Sequence, residues 1–149
     1  MATRGVYTFK EGGEYRMKNL SIYKHWDNYP SMAIQFIKNG IDHFYDNNLA
    51  LTRRDAMAIS FLIANTEQNY SVNVKGYADM EFTSGHEAHA DIEYRYEISN
   101  VFVKGAEGNP KPIINIKIFS CASWEGEEKL IFNGTHLEAY ASYLLKEAN

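Results

Sequence analysis

The spacing of apolar residues changes period along this chain of 149 residues, and this change constrains the fold more than any other feature. Between 31 and 46 apolar side chains recur every three or four residues, and a similar run covers 52–66. From 78 onward they alternate with polar side chains. The first spacing is typical of amphipathic helices, and alternation is typical of strands with one wet face. We therefore expect two central helices followed by a sheet.

Turn and capping residues divide the rest of the chain. The segments 5–10 and 19–26 are rich in β-branched and aromatic residues and flank Gly12-Gly13, which predicts a hairpin. Thr135 and Glu138 have the spacing of a capping box, which predicts a closing helix, and Thr52 with Asp55 resembles one at the second helix. Further strands are expected at 78–83, 92–98, 113–122 and 129–133.

The alternation slips between Ile98 and Val101, which predicts a β-bulge near Ser99-Asn100. The predicted order is therefore β-β-α-α-β-β-β-β-α. With 45% apolar residues and no repeat or linker, we expect one α+β domain over 1–149. Its sheet is expected to be mostly antiparallel, with the helices packed on one face.

Charge is distributed unevenly. The net charge is −4, but residues 1–54 carry +3 and the remainder −7. Overall acidity argues against non-specific binding to nucleic acid or an anionic membrane, and no apolar run approaches the roughly twenty residues of a membrane span. A single cysteine, Cys121, excludes an intrachain disulfide. We expect a soluble, cytoplasmic protein.

The first candidate site is the junction between the second strand and the first helix. His25 and Asp27 would share a face if the strand continued through them, and the carboxylate could then orient the imidazole as a general base. The alternative is that Asp27 or Asn28 caps the helix while Trp26 and Tyr29 pack at the sheet edge. The pair therefore leaves catalysis and a structural role both open.

An anionic ligand is a related hypothesis. Arg4 and Lys24 supply positive charge near Trp26 and Tyr29, whose rings could stack on a base. The amides after Gly134 open the last helix, and such amides attract phosphate. A nucleotide site would form there if Arg4 or Lys24 approached that helix.

A second candidate site lies among the acidic strands. His86, His89, Asp91 and Glu93 offer nitrogen and oxygen ligands for a divalent metal, the last three on one face of an extended strand. The alternative is the polar face of an amphipathic strand, without any metal. No cofactor is expected.

The segments Ala2-Thr3-Arg4-Gly5 and Tyr23-Lys24-His25-Trp26-Asp27-Asn28-Tyr29-Pro30 resemble a loose group of small uncharacterised bacterial and phage or prophage proteins. The resemblance covers about the first 35 residues, and Asn28 stands where glycine is expected. The group has no assigned activity. The resemblance therefore implies a phage-type context without a chemistry. Small, acidic, soluble phage-type proteins often bind and sequester or inhibit a host protein or a signalling nucleotide, and we expect this class of function.

The sequence therefore favours a non-enzymatic, self-associating binding protein whose sheet edge or acidic strand face meets a host protein, or which takes a small anionic ligand. The alternative is a small hydrolase or nucleotide-binding enzyme that uses His25 and Asp27, with Arg4 or Lys24 steering an anionic substrate.

Overall fold

A computed structural model of the chain describes residues 3–10, 19–46, 54–69, 72–74, 77–78, 80–104, 110–121 and 127–144. Within these ranges the strands are β1 (Gly5–Lys10), β2 (Leu20–Lys24), β3 (Val72–Val74), β4 (Tyr77–Ala78), β5 (Met80–Thr83), β6 (Tyr94–Lys104), β7 (Pro110–Ser120) and β8 (Lys129–Thr135). The helices are α1 (Pro30–Asp46), α2 (Arg54–Asn69) and α3 (His136–Tyr143). None of these helices is long and apolar enough to cross a membrane.

In the part of the chain that the structure describes, six strands form one mixed sheet in the order β5-β2-β1-β6-β7-β8, and β3 pairs with β4. β1 pairs with β2 as the predicted antiparallel hairpin and with β6 in parallel. The remaining pairs of the sheet are antiparallel. The predicted α+β class and mostly antiparallel sheet are therefore confirmed.

The three helices pack against one face of this sheet, as expected, and bury the main core between the two layers. α1 and α2 meet closely at Gly40, where an added Cβ would lie 2.9 Å from the Cα of Phe61. We call the opposite side the outer face. The helix-side core includes Tyr7, Phe9, Ile22, Ile34, Ile37, Phe44, Phe61, Tyr96, Ile98 and Ile116.

Two local predictions are wrong. β6 and β7 pair from Tyr94 to Lys104 without a shift in register, so no bulge interrupts β6 at Ser99. The irregularity lies instead opposite Ile118, where Ile131 is the extra residue of β8. The strand expected from Ile92 begins only at Tyr94, because the chain before it forms a 3₁₀ turn at His86–Ala88.

The capping box of the last helix is confirmed. Glu138 N donates to Thr135 Oγ1 over 3.2 Å, and Thr135 N donates to Glu138 Oε1 over 3.0 Å. The Gly12-Gly13 turn and Thr52 of the other predicted box lie outside the described residues.

Candidate functional site

The β2–α1 junction is organised by Asn28, whose side chain is fully buried. Its Nδ2 donates to the carbonyls of Thr3, Lys24 and Trp26 over 2.8, 2.8 and 3.0 Å. Its Oδ1 accepts from the Tyr7 hydroxyl over 2.7 Å. Asn28 therefore ties the start of the chain to the junction.

One further hydrogen bond and one glycine complete this arrangement. The Tyr96 hydroxyl donates to the backbone carbonyl of Asn28. Gly5 has no side chain to obstruct the approach, since a Cβ there would lie 2.8 Å from that of Asn28. Asn28 is present in the predicted junction, but the residues that it contacts are distant in the chain, and the spacing of nearby residues does not identify them.

The predicted His25–Asp27 pair is not formed. β2 ends at Lys24, and Asp27 has a φ of 63°, in the left-handed region, so the two side chains do not share a strand face. His25 Nε2 instead lies 4.0 Å from Glu81 Oε2, and its ring packs edge-on against Tyr23. This geometry does not supply a carboxylate-oriented general base at the predicted pair.

The four predicted ligand-binding residues do not converge. Lys24 is 2% exposed on the helix side, where its Nζ donates to Trp26 O over 2.6 Å and lies over the Phe36 ring. Arg4 lies on the outer face, where its Nε is 3.3 Å from Asp91 Oδ2.

Trp26 and Tyr29, the aromatic members of that set, are each 43% exposed beside the junction. The predicted phosphate site is also not assembled. The register of the sheet places Gly134 in the same row of residues as Phe9, and this row is at the opposite end of β1 from Arg4. The capping box already occupies amides at that helix end.

The segment 84–93 crosses the outer face and is held there by two side chains. The His89 ring stacks on Tyr23 at 4.1 Å, and its Nε2 lies 2.7 Å from Thr83 Oγ1. Asp91 accepts from the Tyr23 hydroxyl over 3.1 Å. Burial and this hydrogen bond raise the pKa of Tyr23 to about 12, so its phenol keeps its proton at neutral pH and donates the hydrogen bond.

The predicted metal ligands lie apart in the part of the chain that the structure describes. His86 Nε2 faces Glu87 and Glu128 at 3.4 and 3.6 Å, whereas His89 and Asp91 are engaged at Tyr23. Glu93 does not lie on a strand with them. Among the described residues, no group of three His, Cys, Asp or Glu side chains is placed to hold a metal ion.

An acidic groove of about 300 Å³ lies beside this segment. Its lining combines three apolar side chains, Ala90, Ile92 and Cys121, with three carboxylates. Burial raises the pKa of the Cys121 thiol, so it is not an activated nucleophile. Among the described residues, the lining is His86, Glu87, His89, Ala90, Ile92, Cys121, Glu127 and Glu128.

One of these carboxylates is fixed in place. Arg95 donates to both oxygens of Glu128 over 2.8 and 2.7 Å, and it stacks over the Phe119 ring at 3.7 Å. The hydrogen bond with Arg95 holds the pKa of Glu128 below its usual range, so the group is ionised at neutral pH. The sequence did not reveal this groove, because its residues come from separate segments with no shared spacing.

The free edge of the sheet at β8 was the other expected contact surface. Leu130 and Ile131 are exposed there, with exposed Leu137 following in α3. The extra residue at Ile131 interrupts the regular hydrogen-bonding edge, and such bulges discourage edge-to-edge pairing. Self-association through this edge stays a prediction.

Comparisons with known proteins give no independent indication of function. A scan against protein-family models, a search of curated proteins and a search of solved structures each found no match to this chain. Function is therefore inferred from the geometry of the site.

Proposed function

We propose that this chain is a non-enzymatic binding protein that holds a basic segment of a partner protein in the acidic groove. The observation that carries the proposal is the combination of three carboxylates with apolar side chains in the lining of one groove. The resemblance to phage-type proteins suggests that the partner is a host protein, which this chain sequesters or inhibits.

The groove suits the two parts of a lysine or arginine side chain. The methylene stem of such a side chain packs on apolar surface, here Ile92 and Cys121, while its charged end remains near polar groups. Glu87 and Glu127 supply the opposite charge, and Glu128, which is already paired with Arg95, completes the acidic lining. Because Arg95 already positions Glu128, less side-chain entropy is lost on binding.

The arrangement does not favour the other partner considered, a signalling nucleotide. Asp91 neutralises Arg4, and Lys24 is buried on the opposite side of the sheet. The hydrolase alternative loses its support as well, because the strand ends before His25 and Asp27.

The proposal is tested with labelled short peptides of alternating arginine and glycine, lysine and glycine, or glutamate and glycine. We expect the basic peptides to bind and the acidic peptide not to bind. Affinity should fall about tenfold or more as ionic strength rises from about 0.05 M to about 0.5 M, because salt screens the partly exposed carboxylates.

Matched variants locate the contact. Glu87→Gln/Glu127→Gln should weaken the basic peptides about tenfold, in line with roughly 1.4 kcal/mol of lost binding free energy. Glu81→Gln removes a carboxylate outside the groove lining and should leave the affinity unchanged. Equal binding of acidic and basic peptides, or full affinity in the double variant, would contradict the proposal.

A further inference from the structure

A second cavity lies on the outer face, on the other side of the segment 84–87 from the acidic groove. It has a volume of about 230 Å³, and none of the described residues that line it has an apolar side chain. The two cavities share His86 and Glu87 but are otherwise lined by different residues. The lining consists of Thr8, Lys10, Asn19, Ser21, Ser84, Gly85, His86, Glu87 and Glu97.

Two buried hydroxyl groups form part of this polar cleft. Thr8 is 8% exposed and Ser21 is 3% exposed, and their oxygens are 2.9 Å apart across the β1–β2 hairpin. One hydrogen bond between two hydroxyls uses only one of their two protons and one of their four lone pairs. The pair therefore retains one proton and several lone pairs, and both residues line the cleft.

The charges of the cleft are balanced locally. Lys10 Nζ lies 2.8 Å from Glu97 Oε1, and Arg95 also contacts that carboxylate at 3.0 Å. Glu87, on the shared wall, adds negative charge. Free phosphate or an acidic ligand thus finds no unneutralised cation among these lining residues.

We propose that this cleft binds one neutral, polyhydroxylated ring of monosaccharide size. Neighbouring hydroxyls of such a ring each donate and accept, which matches the hydroxyls of Thr8, Ser21 and Ser84 and the amide of Asn19. The volume is below the roughly 300–1,000 Å³ of sites for drug-sized ligands, so it accommodates a single ring. A free sugar and the ribose of a nucleoside present the same chemistry.

The test is a titration of ¹⁵N-labelled protein with D-glucose, D-ribose and adenosine, followed through the amide shifts of Thr8, Ser21 and Ser84. We expect saturable shifts with at least one of these compounds. Tighter binding of adenosine than of D-ribose assigns the ring to a nucleoside, and the reverse order assigns it to a free sugar. Inorganic phosphate and glucuronate should bind more weakly than the neutral compounds.

The decisive variant is Thr8→Val/Ser21→Ala, which removes both hydroxyls together and so leaves neither one orphaned. It should keep its melting temperature within a few degrees and bind the sugar at least tenfold more weakly. Ser120→Ala is the matched control on β7, outside the cleft, and should bind normally. If the double variant does not fold, Ser84→Ala takes its place and should also weaken binding.

Three results would overturn the proposal. These are the absence of saturable shifts with every neutral compound, full affinity in the hydroxyl-deficient variant, and tighter binding of phosphate than of any sugar. Because these substitutions lie outside the acidic groove, basic-peptide binding should persist in Thr8→Val/Ser21→Ala, which separates this proposal from the proposed function.

Discussion

Asn28 is the residue on which the β2–α1 junction most depends. Replacing it with alanine removes the acceptor of the Tyr7 hydroxyl and the donor to three backbone carbonyls. The carbonyls of Thr3 and Trp26 keep hydrogen bonds from Asn28 N and Lys24 Nζ, so the loss falls mainly on the Tyr7 hydroxyl and the Lys24 carbonyl. At about 1–3 kcal/mol for each buried polar group that loses a hydrogen bond, Asn28→Ala should lower the free energy of unfolding by about 2–4 kcal/mol. Urea denaturation measures this loss.

Tyr7→Phe provides the control for that prediction. It removes only the hydroxyl that donates to Asn28, so its cost should be smaller. The double variant should be less destabilised than the sum of the two single changes, because the same hydrogen bond is lost in each. A loss below about 1 kcal/mol in Asn28→Ala would show that the junction does not rely on this side chain.

The same residue illustrates what local sequence can predict. The predicted junction of strand and helix between Tyr23 and Pro30 is confirmed. Spacing in the sequence points to His25 and Asp27 there, because it relates side chains that are two residues apart. The contacts of Asn28 with Thr3, Tyr7 and Tyr96 depend on tertiary pairing, which spacing does not contain.

Among the elements, the α1–α2 pair is the most sensitive to a small change. Gly40→Ala would improve helix propensity by roughly 1 kcal/mol. It would also place a methyl 2.9 Å from the Cα and 3.2 Å from the N of Phe61, and backbone atoms cannot yield as a side chain can. Overpacking of this kind costs typically 1–3 kcal/mol, so we expect a net loss of up to about 2 kcal/mol.

Thermal unfolding of Gly40→Ala measures this balance. A melting temperature equal to or above that of the parent protein would show that the helices separate without cost and that propensity dominates. The helices themselves were predictable, because their apolar period is local. The position of the segment 84–93 could not be predicted, because it depends on contacts of His89 and Asp91 with Tyr23, which is distant in the chain.

For the whole molecule, three shifted pKa values predict how stability depends on pH. Burial lowers the pKa of His136, so the unfolded chain takes up that proton first as the pH falls below about 6.5. Burial acts to raise the pKa of Glu97, but hydrogen bonds from Lys10 and Arg95 outweigh it. Glu128 is likewise shifted downward, by Arg95.

All three shifts have the same sign. The folded state binds fewer protons than the unfolded state in each window, so these three contributions to stability are fully present above about pH 6.5. The His136 contribution should be lost below about pH 6.5, and the glutamate contributions below about pH 4.5. Denaturant titrations across pH 4–8 measure this dependence, and His136→Gln should remove the upper step only. Stability that rises on acidification through pH 6.5 would contradict the assignment.

For the whole molecule, the uneven distribution of charge could be predicted from the sequence, but the acidic groove could not. The acidic part of the chain contributes most of the outer-face carboxylates, as its composition indicated. The groove depends on the pairing of Arg95 with Glu128, which lies 33 residues later in the chain. Such pairings follow from the sheet register, and no single stretch of sequence encodes them.

The parallel pairing of β1 with β6 also determines the order in which the molecule can assemble. β1 can pair with β2 early, but its other edge has no partner until the chain has continued to residue 94. Contacts across such long separations form slowly, because the loop entropy is lost before the contacts compensate for it. During synthesis the second edge of β1 therefore stays open to pairing with other chains until β6 arrives.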